Sequence, residues 1–153
     1  MKVIIKLRNP SKERIINVIE HHIKYGYTDF IVFSTFFTDI ENEISERVWK
    51  EGGKIVFLKS YGQSTADSLL NIRGSLTDRF LLVYNDEICC FDLKNASNSH
   101  HNSTMTATII YAKNRTTAVF FEPEIFDYLT REKSLEREVI PRIFEDHEVQ
   151  IFN

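Results

Sequence analysis

The chain has 153 residues, 42% of them hydrophobic, 27% charged and 12% aromatic, and a formal net charge of −3. That balance excludes a disordered chain and allows one hydrophobic core, so a single domain over 1–153 is expected. Lys+Arg at 19 against Asp+Glu at 22 leaves no basic excess for a nucleic-acid partner, and no apolar run approaches the ~20 residues of a membrane span.

Taken in order, short apolar runs alternate with amphipathic stretches. Residues 3–7 read as a strand. Pro10 and Ser11 open a helix with Ile15, Ile16, Ile19 and Ile23 at helical spacing, which Gly26 stops. Phe30-Ile31-Val32-Phe33 is a run suited to a strand buried on both faces. Thr38 with Glu41 forms a capping box for a helix whose stripe is Ile40, Ile44 and Val48 and which ends at Gly52-Gly53. Ile55-Val56-Phe57-Leu58 is a third strand, 64–76 a weaker helix, and Phe80-Leu81-Leu82-Val83-Tyr84 a fourth, buried strand. The polar segment 92–102 is expected to be helical only at its start. Segments 104–111 and 117–121 read as strands joined by the turn at Lys113-Asn114-Arg115. A short helical turn at 124–129, a helix over 134–145 despite Pro141, and an edge strand over 148–152 complete the chain.

This alternation with short connections predicts an α/β layer fold with a mainly parallel sheet and helices on both faces. Ligands of such sheets bind beyond the carboxyl ends of the strands, here Ser34-Thr35-Phe36, Ser60-Tyr61-Gly62 and Asn85-Asp86. Asp86 directly follows a buried strand; its carboxylate suits Mg²⁺, or it caps the next turn or pairs with a lysine. Gly62-Gln63-Ser64-Thr65 runs into a helix start, where backbone N–H groups meet anions or the edge of a base; it has no Walker lysine and no dinucleotide glycine spacing, so a plain cap remains open. His21-His22 and His100-His101 are adjacent pairs that cannot easily share a metal, and the first pair reads as a solvent-facing helix edge. The neighbours Cys89 and Cys90 read as reduced thiols in a cytoplasmic protein. Phe36, Phe37 and Trp49, the last one position off its helix stripe, are candidates for exposed aromatic surface at an interface.

Two stretches resemble the sugar-1-phosphate nucleotidyltransferases. Residues 80–93, FLLVYNDEICCFDL, are similar to the family's FLVLYGDVLxDIDL. Phe121-Glu122-Pro123-Glu124-Ile125-Phe126-Asp127-Tyr128-Leu129, followed by Ser134-Leu135-Glu136-Arg137-Glu138-Val139-Ile140-Pro141-Arg142, resembles its FEPEVLDYI and SLERDVFPRL. Ser64-Thr65-Ala66-Asp67-Ser68-Leu69 is similar to its GTAGAL, and 15–44 to its first helix and second strand. The resemblance implies a three-layer Rossmann-like fold of glycosyltransferase-A type. It also implies a metal-binding aspartate at Asp86 and a base-contacting loop at Gln63, Ser64 and Thr65.

The departures fall on named chemical roles. The family's Gly-rich triphosphate loop has no counterpart between Ile5 and Pro10. The long segment with its sugar-contacting Glu and phosphate-binding Lys shrinks to a turn near 112–115, and the chain stops at Asn153 before the second metal ligand. Phosphoryl transfer rests on positioning and charge neutralisation. The expectation is therefore a shortened, non-catalytic relative with no catalytic residue. It would bind a nucleotide or nucleotide sugar, or a partner, in sugar-nucleotide or cell-surface polysaccharide metabolism, with at most weak Mg²⁺. It would pair with itself or with a larger nucleotidyltransferase. The alternative is a Mg²⁺-dependent nucleotidyltransferase completed by another chain; a third reading is an α/β scaffold without a ligand.

Overall fold

In the computed structural model, which describes residues 1–8, 10–34, 40–60 and 62–153, a seven-stranded sheet runs in the order β3-β2-β1-β4-β6-β5-β7. The strands are β1 (Lys2–Ile5), β2 (Asp29–Ser34), β3 (Lys54–Lys59), β4 (Phe80–Val83), β5 (Ala107–Ala112), β6 (Arg115–Phe121) and β7 (Val149–Phe152). All neighbours are parallel except those of β6, which lies antiparallel between β4 and β5. The expectation of a mainly parallel α/β sheet holds. The reversal at β6 follows from the turn before it. Lys113 and Asn114 both take positive φ, 48° and 60°, the geometry of a tight hairpin turn that cannot lead to a parallel neighbour.

Strand alternation divides the interior into two apolar clusters, one on each face. Val3, Ile5, Phe30, Val32, Leu81 and Val83 pack with α1 (Lys12–Lys24), α2 (Ile40–Lys50) and α4 (Leu93–His101). Ile4, Ile31, Phe33, Phe80, Leu82 and Tyr84 pack with α3 (Thr65–Asn71), α5 (Ile140–Glu145) and the turns before α5. Ser11, Ser64, Asp92 and Ser134 each cap a helical start with a side-chain oxygen. Gly53 is required by close approach. A Cβ there would stand 2.2 Å from the Thr28 carbonyl oxygen, the oxygen that accepts from the Lys54 N–H at 2.7 Å as β3 aligns with β2.

Three local expectations are corrected. Segment 92–102 is helical nearly throughout, because Asp92 accepts from the Lys94 and Asn95 N–H groups and Leu93, Ala96 and His100 are buried. The helix expected over 134–145 is divided. Pro141 has no N–H to give, and the chain before it widens into a π turn (Leu135–Val139) in which Val139 N–H reaches back to the Ser134 carbonyl. His22 is fully buried instead of lying on a solvent-facing edge, its Nδ1 2.7 Å from the Val18 carbonyl oxygen. The Thr38 half of the capping box and the pair Phe36-Phe37 lie outside the described residues. Trp49 is 64% exposed, as its offset from the stripe requires. No described helix is long and apolar enough to cross a membrane.

Candidate functional site

Beyond Ile5 the chain continues as Lys6-Leu7-Arg8 alongside β4. Lys6 N–H donates to the Val83 carbonyl at 3.0 Å and Arg8 N–H to that of Tyr84 at 3.1 Å. The two-residue period of this extended backbone turns Leu7 into the core and leaves Lys6 and Arg8 on the face of Ile4 and Tyr84. The Ser134–Val139 turn closes over the same face. Together they line a cleft of about 320 Å³ bounded by Lys6, Arg8, Thr65, Tyr84, Glu136 and Arg137. A recess of about 150 Å³ shares Arg8, Tyr84 and Glu136 and adds Arg115 and Thr116.

Side chains from four segments fix this cleft. The Lys6 ammonium donates to the Gln63 carbonyl at 2.8 Å, the Ser64 carbonyl at 3.2 Å and the Ser68 hydroxyl at 2.7 Å. Burial pulls its pKa down, while the Glu136 and Asp67 carboxylates push it back up. The Thr65 hydroxyl donates to Glu136 Oε1 at 2.7 Å and so joins α3 to the π turn. Tyr84 is buried, and its hydroxyl is closed off from solvent beside the Glu136 carboxylate. Burial first, and the nearby Glu136 carboxylate second, raise its pKa well above 10.0.

The sequence-predicted residues thus separate into two places. Ser64 caps α3, its hydroxyl oxygen 3.1 Å from the Asp67 N–H, and Thr65 lines the cleft; Gln63 reaches it through the carbonyl that Lys6 holds. Asp86 stands beside α1, where its Oδ1 accepts from Arg14 Nη2 at 2.7 Å. This hydrogen bond is the main reason that its carboxyl pKa lies below the usual range. Arg14 also donates to the Arg8 carbonyl at 2.8 Å. The cation beside Asp86 is an arginine from the first turn of α1, not the lysine considered as a partner from sequence.

The donor set fits a resident Mg²⁺ poorly. Such an ion takes octahedral oxygen ligation, usually with one or two carboxylates. Here one oxygen of a single carboxylate is committed to a guanidinium, and the described residues hold no cluster of three or more His, Cys, Asp or Glu side chains that could take a metal. Glu87, the next carboxylate, is bonded at both oxygens by Arg115, each at 3.0 Å. A larger cleft of about 480 Å³ opens at the other end of the sheet, but Glu122, Glu124 and Glu148 line it and would repel a phosphate.

Sequence reasoning missed Lys6, Arg8, Arg14, Tyr84, Glu136 and Arg137 as site residues. One signal was present: two cations spaced by two directly after the first strand. Glu136 and Arg137 lay within a matched family stretch but carried no role there.

Solved structures now place this geometry. The chain superposes on a protein described as a glucose-1-phosphate thymidylyltransferase from Bacillus anthracis, solved with sucrose, at a TM-score of 0.70 and 10% identity, over 99% of this chain and 85% of that one. It has the nucleotidyltransferase fold. The inositol-1-phosphate CTP transferase from T. maritima gives 0.60 at 9% identity over 99% and 84% of the two chains. A UDP-glucose pyrophosphorylase complexed with UDP-glucose gives 0.58 at 8% over 99% and 90%. The sequence itself matches no protein-family model and no curated protein. The nucleotidyltransferase fold is therefore carried here by a sequence far from these structures, with the cleft at the carboxyl ends of β1 and β4.

Proposed function

We propose that this chain is a non-catalytic protein of nucleotidyltransferase fold that binds a nucleotide or nucleotide sugar in the Lys6–Arg137 cleft, within sugar-nucleotide metabolism. The observation that carries the reading is the hairpin turn at Lys113-Asn114. β5 and β6 are joined there directly, where the resembled family inserts its sugar-contacting and phosphate-binding residues. Only four residues separate Ile5 from Pro10, too few for a triphosphate loop, and the Arg14 guanidinium engages Asp86. Each missing group removes transition-state stabilisation that the others cannot replace. Thr65 lines the cleft and the Gln63 and Ser64 carbonyls hold Lys6 at its edge; in this reading the base lies on that side.

The expected result is no pyrophosphate release from any sugar 1-phosphate with the common nucleoside triphosphates and Mg²⁺. At least one nucleotide or nucleotide sugar should raise the unfolding midpoint, because a ligand of the native state alone stabilises it by mass action. Turnover that Asp86→Ala abolishes would overturn the reading in favour of an active enzyme.

The exposed Trp49 on α2 supports an association surface, since aromatic residues are enriched at interfaces. We infer a homodimer, or docking on a larger nucleotidyltransferase, through this face. Sedimentation at micromolar concentration should show the pair, and Trp49→Ala should loosen it. A monomer that also co-purifies with no nucleotidyltransferase contradicts this.

A further inference from the structure

We propose that the outer edge of β7 pairs with the same edge of a second copy of this chain, antiparallel across a two-fold axis at Gln150, so that the two sheets become one. This contact is independent of the nucleotide reading. It is also separate from the contact inferred at Trp49, because α2 leads into β3 at one end of the strand order and β7 lies at the other.

Backbone direction makes the edge available. The Ala107 N–H donates to the Glu148 carbonyl at 3.1 Å, and Ala107 and Ile109 stand level with Val149 and Ile151. In a parallel ladder of this register the N–H and C=O of Gln150 point to β5, and those of Val149 and Ile151 point away from it. No described strand lies beyond them. The Gln150 amide donates to the Ser99 carbonyl at 3.0 Å and the Thr108 hydroxyl at 2.7 Å, which fixes β7 to α4 and β5.

Nothing within the strand guards that edge. Edge strands commonly carry lysine, proline or a bulge against unwanted pairing. β3, at the opposite edge, has an exposed lysine at each end, Lys54 and Lys59. β7 is Val149-Gln150-Ile151-Phe152, without charge or proline, and its register to β5 is unbroken. Ile151 is 54% exposed, and Phe144, on the helix that leads into β7, is 53% exposed.

Self-complementarity names the occupant. With the axis at Gln150, Val149 of each copy falls opposite Ile151 of the other. Both present their N–H and C=O outward, so each such pair exchanges two hydrogen bonds. Val149 and Ile151 share the α5 face of the strand, and the pairing sets their branched side chains about 5 Å apart at Cβ. The nearest charge, Glu148, falls opposite Phe152 of the other copy. At ~3.3 Å per residue the two Glu148 carboxylates stand about 13 Å apart, beyond the Debye length of physiological salt. A foreign strand could use the same hydrogen bonds, but the two-fold register covers both unguarded edges at once.

Sedimentation of the whole chain at micromolar concentration tests this, with a dimer expected. Ile151→Pro removes an N–H that β5 does not use. Ile151→Lys sets two ammonium groups on diagonal positions about 7–8 Å apart. Each should raise the dissociation constant about tenfold or more while the thermal midpoint is held. Val56→Lys, the same change at a similarly exposed site on β3, should leave the dimer unaltered. In a Cys89→Ser, Cys90→Ser background, Gln150→Cys should form a disulfide dimer on mild oxidation, since residues facing each other at the axis lie about 4.5 Å apart at Cα. That arm decides the matter should the Ile151 variants unfold. A monomer throughout, a dimer that both Ile151 variants leave intact, or Gln150→Cys that cross-links no faster than Ile151→Cys overturns the proposal. A dimer lost only in Trp49→Ala belongs to the α2 face and overturns it as well. None of these outcomes bears on nucleotide binding, which the midpoint shift tests separately.

Discussion

Lowering the pH from 7 to 4.5 should lower the unfolding midpoint by roughly 5–10 °C through His22 alone. The imidazole lies wholly inside the interface between α1 and β2, 2.7 Å from the Val18 carbonyl and edge-on to Phe30. Burial lowers its pKa to about 4; the Val18 carbonyl opposes that shift and His21 adds to it. In the unfolded chain the group returns to about 6.5. Between these values the unfolded state binds more protons than the folded one, so stability rises with pH in this window. The contribution is complete above about pH 6.5 and is lost progressively toward pH 4, amounting to about 2.5 kcal/mol at pH 4.5. His100 acts in the same direction. Its pKa is also near 4, from burial and then from Arg79 and His101, although Glu122 stands 3.2 Å from its Nε2. His22→Leu, which keeps the volume and removes one of the two titrations, should make the fall of the thermal midpoint toward pH 4.5 clearly shallower, leaving the His100 part. An unchanged slope in that variant would refute the assignment.

Phe80→Ala should destabilise the protein by about 3–5 kcal/mol, the range for emptying a buried aromatic site. Phe80 is fully buried at the start of β4, with ring centroids 5.5 Å from Phe121 and 6.1 Å from Phe126. It joins β4, β6 and the 3₁₀ turn Pro123–Asp127 in one cluster, so the cavity cannot collapse without moving the strand that carries Tyr84, Asn85 and Asp86. Urea unfolding measures the loss, and Phe80→Leu should recover most of it. A cost below about 1 kcal/mol for the alanine variant would mean that the cluster relaxes freely.

Part of this structure is legible in short windows of sequence. The runs at Phe30-Ile31-Val32-Phe33 and Phe80-Leu81-Leu82-Val83 are strands, Ser11 and Ser64 cap helices, and Trp49 is exposed because it lies off the stripe of Ile44 and Val48. These are local facts. Periodicity, capping and backbone restriction act within a few residues, and burial on one face of an element follows from its own spacing. The strand content of 104–121 and the tight turn within it were readable for the same reason. Locally misread elements mark where tertiary packing outweighs local pattern. The polar stretch after Asp92 becomes a full helix because Leu93, Ala96 and His100 find a core to fill, and Pro141 forces a π turn inside what its apolar spacing presents as one helix.

Only the tertiary structure decided the composition of the cleft. Lys6 meets Ser68 across a separation of 62 residues, Thr65 meets Glu136 across 71, and Arg14 meets Asp86 across 72. No window of sequence contains such pairs, because they depend on β1 lying between β2 and β4 in the sheet order and on the turn at 134–139 folding back over β1. The burial of His22 is of the local kind: it continues the stripe of Ile15, Val18 and Ile19 that α1 buries, so helical spacing carried the signal although the residue type argued for solvent. Sequence alone determined most of the elements, the caps at Ser11 and Ser64, and the mainly parallel α/β class. The charge of the cleft and the partner of Asp86 were decided by long-range assembly, since electrostatic and hydrogen-bonding partners are chosen by distance in space and not by distance along the chain.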